Sequence, residues 1–236
     1  MFAIIPLEIE ERFQQRIICM SHEEFLKPGR FVDNNHPAVI EYANENIGDA
    51  ESDHDKVINL YYAIRDGIYY DPYMPISDPA SYRASDAVIT QRGWCVPKAA
   101  LMAACCRIHG IPARPGYADV KNHLTSSRLL ELLGTDVFVW HSYCDIYVND
   151  NWVKATPAFT KALCDKFKLH PLEFDGFEDS LFHEFDQEGK KHMQYLQDRG
   201  TFADVPFEKI LETCRGLYKP EYIAGASGDL YAEAGT

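Results

Sequence analysis

Seven cysteines lie along the chain, at positions 19, 95, 105, 106, 144, 164 and 214. A thiol becomes a useful nucleophile where its thiolate is stabilised. A helix start does this through its unpaired N–H groups and the positive end of the helix dipole. Cys95 alone has that setting. Gly93 and Trp94 lead into it, and Pro97 suits a first helical turn, where its missing N–H is not needed. An alanine-rich run follows, with Leu101, Cys105 and Ile108 on one face. Gly110 is a natural left-handed stop, and Pro112 prevents continuation. Cys105 and Cys106 fall in mid-helix and Cys144 in a strand, settings in which a thiol more often acts as a small buried hydrophobe. Helix placement alone leaves a structural reading of Cys95 open. As a nucleophile its thiolate should titrate well below the free-thiol value of about 8.5, with a dependence on a partner imidazole.

The surrounding elements are readable from periodicity. Ile4–Glu10 and Arg16–Met20 alternate as strands, and Ala38–Asn46 suits a helix. Asp53 caps a helix whose stripe is Val57, Leu60, Tyr61 and Ile64, ending at Asp66 and Gly67. Ser85 caps a short turn through Ile89, and Gln91–Trp94 forms the loop before Cys95. A strand over Ile111–Val120 and a short helix around Ser127–Leu133 precede a β-rich run, Val137–Val148. Asn149, Asp150 and Asn151 make a turn, and Trp152–Thr156 returns as its partner until Pro157. Helices are expected at about Lys190–Arg199 and at Phe207–Arg215, the second capped by Asp204, and a frayed tail from Ile223.

Two blocks of this sequence resemble the transglutaminase-like superfamily. The first is Arg83-Ala-Ser-Asp-Ala-Val-Ile-Thr-Gln-Arg-Gly-Trp-Cys95 with its alanine-rich helix and Gly110-Ile-Pro-Ala-Arg114. The second is His141, Asp145, the Asn149–Asn151 turn and Trp152. The preceding helix with Tyr69-Tyr70-Asp71 also fits, so the resemblance covers roughly Asp55 to Phe159. It implies an α+β fold with a transglutaminase/papain-like core, in which a central helix bearing the nucleophile packs on an antiparallel sheet. It further implies that Cys95 attacks an amide carbonyl and that His141 serves the leaving amine.

The family's third member, an aspartate that orients the imidazole, corresponds here to Thr156, which offers only a neutral hydrogen bond. Three outcomes stay open: Thr156 orients His141 weakly, another acid substitutes, or the chemistry is lost. Asp145 is four strand positions from His141, some 13 Å along one face and out of reach. Asp165 and Asp175 return from the C-terminal part and are freer. If the hairpin is centred between Val148 and Asn149, His141 and Thr156 face each other. Thr156→Val should then lower turnover about tenfold.

Trp94 is a candidate wall of a substrate pocket, with core packing as the equal alternative. Gln91 is a candidate oxyanion donor beside the better-founded backbone N–H of Cys95. His109 is expected to meet the C-terminal carbonyls of its own helix, while His123 and His183 read as surface groups.

The net charge of −13 repels phosphate backbones and anionic lipid, which argues against nucleic acid and membrane partners. No apolar run approaches the roughly 18 residues that span a bilayer, and the start lacks a leader pattern, so a cytoplasmic protein is expected. Seven cysteines, an odd number without paired spacing, argue against a disulfide framework and suit a reducing compartment, and neither a metal nor an organic cofactor is required. The expected organisation is one domain with its core at about 55–160, a C-terminal helical elaboration at about 162–220 and the tail 223–236. The expected substrate is a peptide or small amide. Oligomeric state is not encoded in any pattern found.

Overall fold

The computed structural model describes residues 22–122, 125–181, 186–189 and 193–234. The expected strands at Ile4–Glu10 and Arg16–Met20, together with Cys19, His123 and His183, lie outside the described residues.

Among the described residues three α-helices precede the nucleophile. α1 (Pro37–Asn46) begins after His36, whose ring accepts the Ala38 N–H. α2 (Asp53–Gly67) is capped by Ser52 rather than Asp53, because the Ser52 hydroxyl accepts the Asp55 N–H at 3.1 Å. α3 (Ala84–Thr90) starts two residues earlier than the sequence suggests, so Ser85 lies inside the helix and does not cap it. Between them β1 (Tyr69–Tyr70) and β2 (Arg92–Gly93) pair in parallel. This pairing ties the exit of α2 to the loop before the nucleophile, through Tyr69 N–H to Gln91 O and Asp71 N–H to Gly93 O.

α4 (Cys95–Ile108) is the centre of the molecule, with every residue from Cys95 to Arg107 buried. Its alanines allow close approach on all sides, so it lacks the one-sided apolar stripe of a surface helix. It packs against α1, α2 and α3 on one side and the sheet on the other. Gly93 keeps this approach close, since a Cβ there would stand 3.1 Å from Pro97 Cγ and press on the first turn of α4. The fully buried Lys98 donates to the carbonyls of Arg65 (3.0 Å) and Ile68 (2.7 Å), a cation placed at the negative end of α2. Burial draws its pKa down to about 7.

The sheet runs β5 (Asn151–Ala155), β4 (Val137–Val148), β3 (Ala113–Asn122), β6 (Met193–Thr201), antiparallel throughout. Asn149 and Asp150 both have positive φ (53° and 62°), the signature of a two-residue hairpin turn whose twist matches the strands. Val148 therefore pairs with Asn151. β6 corrects the sequence reading, which expected a helix over Lys190–Arg199. Its pairing with β3 supplies a strand that its own polar sequence does not announce.

The remaining helices are α5 (Ser127–Leu133), α6 (Lys161–Phe167), α7 (Phe207–Leu217), α8 (Pro220–Ile223) and α9 (Leu230–Glu233). Asp204 does not cap α7. Its carboxylate instead accepts the amides of Arg30, Phe31 and Val32, some 170 residues away in sequence. The expected frayed tail is also corrected. Tyr231 bonds Thr160 (2.8 Å), Asp229 bonds Tyr69 (2.7 Å), and Glu233 accepts from Ser126 (2.7 Å) and from Tyr73. No helix among the described residues is long and apolar enough to cross a membrane.

Candidate active site

Cys95 is the first residue of α4, and His141 lies on β4, the strand beside it. Both line one cavity of about 30 Å³, together with Tyr70, Trp94 and Phe138 and, from the C-terminal helices, Cys214, Tyr218 and Tyr222. The N–H groups of Cys95 and Val96 belong to the first turn, where helix geometry leaves them without intrahelical acceptors. They are the donors available to a developing oxyanion.

The resting pair is neutral. Burial pushes the Cys95 thiol up to about 12, against the opposing pull of the Ser142, Val96 and Cys95 amides. Burial draws the His141 imidazolium down to about 4, and no carboxylate offsets it. The low thiolate pKa expected from the helix start is thus not present in this closed arrangement. Desolvation by burial outweighs the pull of these amides. Cys95 itself is only 5% exposed. The other described cysteines are buried as well and form no disulfide among the described residues.

Thr156 falls one residue past the end of β5. The register Cys144↔Ala155 places it diagonal to His141 rather than opposite, because the turn is centred between Asn149 and Asp150. The two residues line a second, smaller cavity of about 10 Å³ with Ala158, Phe159 and Met193. The Thr156 hydroxyl is buried and has no hydrogen-bond partner, so it does not hold the His141 ring. Thr156→Val should therefore leave turnover unchanged and raise stability by about 1 kcal/mol, since it removes an unpaired buried hydroxyl. Thermal unfolding and steady-state rates check this. A tenfold loss of turnover would restore Thr156 as the orienting group.

None of the substitute acids takes that place. Asp145 is paired with Arg114 at 2.8 Å, Asp165 with Lys161 at 2.8 Å, and Asp175 accepts the amides of Phe177 and Glu178.

Of the other candidates, Trp94 lines the Cys95 cavity and is fixed there by its indole N–H on Ser81 O (3.0 Å) and its edge-on contact with Tyr82. Gln91 is not brought to the site. It is the left-handed C-cap of α3, exposed, and lines a different cleft with Asp66, Tyr69 and Tyr231. The His109 ring contacts Ala43 O of α1 at 3.4 Å, while its backbone N–H donates to the Cys106 carbonyl of its own helix at 3.1 Å.

The part that Tyr218 and Tyr222 take in lining the cavity was not foreseen. Tyr218 belongs to the segment read as a C-terminal elaboration at about 162–220 and Tyr222 lies just past it, and the aromatic residues around the end of α7 and in α8 were the available signal. The Tyr222 hydroxyl donates to Pro72 O at 2.8 Å, bridging the cavity to the β1 exit. Tyr222→Ala should raise the rate of Cys95 alkylation by iodoacetamide at least about tenfold and cost about 3 kcal/mol of stability. Peptide mapping reads the label, with unlabelled Cys105 showing that the fold is kept. An unchanged Cys95 rate would mean that Tyr222 does not cover it.

The pattern defining the transglutaminase-like superfamily matches residues 40–157, half of the chain. A solved structure from Cytophaga hutchinsonii, described as a "Putative Cysteine Protease", aligns at 19% identity with a TM-score of 0.49. The alignment covers 78% of this chain and 47% of that one, so this chain spans about half the length of that protein. No curated protein matches the chain. The family match begins in α1, takes in Cys95 and His141, and ends just past Thr156. The chain belongs to the transglutaminase-like superfamily.

Proposed function

We propose that the chain is a cysteine-dependent acyl-transfer enzyme that hydrolyses an amide or peptide bond through a thioester on Cys95. The observation that carries this reading is the joint placement of Cys95, at the start of α4, and His141 in one cavity. As the Cys95 sulfur attacks the amide carbonyl, His141 takes the thiol proton and the carbonyl oxygen gains negative charge beside the first-turn N–H groups. The C–N bond then breaks, and His141 gives its proton to the leaving amine. Water, deprotonated by His141, attacks the thioester. The C–S bond breaks and the proton returns to sulfur. Water is favoured as acceptor over an amine by analogy with the small proteases and amidases of the superfamily.

A cavity of about 30 Å³ holds about two waters. An amide substrate is larger, so the reading requires the Tyr218 and Tyr222 side chains to move aside. Opening admits water and lowers the desolvation that keeps the pair neutral. Trp94, fixed at the cavity wall, would then contact the acyl side of the substrate.

The test is a library of peptides and small amides assayed for amine release, with Cys95→Ala as control and with added amines to reveal transfer products. Release that requires Cys95 supports the reading. No release from any member supports the second reading, a non-catalytic binding domain of the same fold. That reading is favoured by the hydroxyl of Thr156 where the family carries a carboxylate, and by the neutral pair.

A further inference from the structure

β4 carries an irregularity immediately before His141. Ala118 pairs with His141 and Val120 pairs with Phe138, so the single residue Asp119 faces both Val139 and Trp140. This is a β-bulge, a device that re-aims the next side chain. Trp140 has φ +59°, and it is the one residue inside a strand with positive φ among the described non-glycine residues. A bulky residue in the left-handed region is strained and persists only where its surroundings hold it.

Three groups hold it. Asp119, 6% exposed, accepts the Trp140 N–H on Oδ1 at 3.0 Å. Arg199, from β6, clamps that carboxylate with Nε on Oδ1 at 2.6 Å and Nη2 on Oδ2 at 2.7 Å. The same guanidinium lies 4.7 Å from the centre of the Trp140 ring, within cation–π distance. The other bulge amide, Val139 N–H, donates to the Tyr218 hydroxyl at 2.8 Å. Both bulge amides are thus taken by side chains rather than by the ladder.

The next residue is His141, for whose ring the structure shows no hydrogen bond among the described residues. The direction of the imidazole is therefore set by the backbone that carries it. We infer that Asp119, clamped by Arg199, is the positioning residue for His141. It fixes the left-handed turn of Trp140 through its amide and so keeps the imidazole in the Cys95 cavity. The chain thereby replaces a carboxylate on the ring by a carboxylate on the backbone one residue earlier.

This inference rests on the proposed role of His141, and its test separates the two. Asp119→Ala removes the acceptor, whereas Asp119→Asn keeps an oxygen for the Trp140 N–H and loses the charge pairing. Asp119→Ala should lower kcat about 10²-fold with KM within about threefold, as expected when a reacting group is misplaced by about 1 Å. Asp119→Asn should stay within about fivefold of the parent. A kcat unchanged in Asp119→Ala overturns the inference, and so does an equal loss in both variants. Should Asp119→Ala not fold, Asp119→Ala/Trp140→Gly is compared with Trp140→Gly, in which glycine carries no left-handed strain. At least a tenfold loss is expected there, and equal rates overturn the inference. If the parent protein turns over no amide, the proposed function fails, and the positioning role is read from the His141 ring resonances of ¹⁵N-histidine-labelled protein. They should move in Asp119→Ala and hold in Asp119→Asn, and unmoved resonances in Asp119→Ala overturn it.

Discussion

Cys95→Ala should abolish turnover, by at least about 10⁴-fold, while changing stability by no more than about 1 kcal/mol. The sulfur is the atom that forms the thioester, and alanine leaves nothing to replace it. The structural cost is small because the side chain faces a cavity rather than a filled core. Cys105→Ala is the matching control. Cys105 is fully buried on α4 among apolar neighbours, so its loss should lower the melting temperature and spare the rate of the folded enzyme. Steady-state rates and thermal unfolding of both variants decide the matter. Retained turnover in Cys95→Ala would remove it from the mechanism.

His141→Asn should lower turnover about 10³-fold, because the residue that takes and returns the proton is lost. It should also change the acid stability. In the folded protein burial holds His141 near 4, below its unfolded value of about 6.5. The unfolded chain then binds the extra proton first. The stability associated with neutral His141 is full above pH 6.5 and is lost as the pH falls through 4. A difference of that size corresponds to at most about 3 kcal/mol, and partial exposure of the side chain reduces it. The variant should lose the part of the acid-induced destabilisation that falls between pH 6.5 and 4. Denaturant unfolding at a series of pH values measures this. Parallel curves for parent and variant would show that His141 is not buried in its neutral form.

The two elements that hold the pair were legible in the sequence for identifiable reasons. Pro97 and Gly110 bracket α4, and the β-rich run 137–148 became β4 with the boundaries its composition suggests. What was not legible depends on partners distant in sequence. The residues of β6 are polar and mostly exposed, so no alternation marks them as a strand, and only β3 makes them one. Asp204 looks like a helix cap because Phe207 begins a helix three residues later, yet its carboxylate is engaged by backbone near residue 31. The tail lacks an apolar run, and side-chain hydrogen bonds through Asp229, Tyr231 and Glu233 hold it in place.

At the site, the error over Thr156 was one of turn geometry. Centring the hairpin between Val148 and Asn149, when it lies between Asn149 and Asp150, misplaces the centre by one residue and the facing partner by two. The Trp140 bulge was beyond reach of the same reasoning. Left-handed backbone is signalled by glycine or asparagine, and a tryptophan there is held by Asp119 and Arg199 from two other strands.

The most direct test of a cysteine acyl-transfer site is to trap the intermediate. The protein is mixed with an amide or activated ester substrate, quenched in acid within the first turnover, and its intact mass and peptide map are recorded. The account predicts a mass increase equal to the acyl group, mapped to Cys95 and absent from Cys95→Ala. In His141→Asn the adduct should form far more slowly. Substrate consumed without any adduct on Cys95, or an adduct that persists in Cys95→Ala, would contradict it.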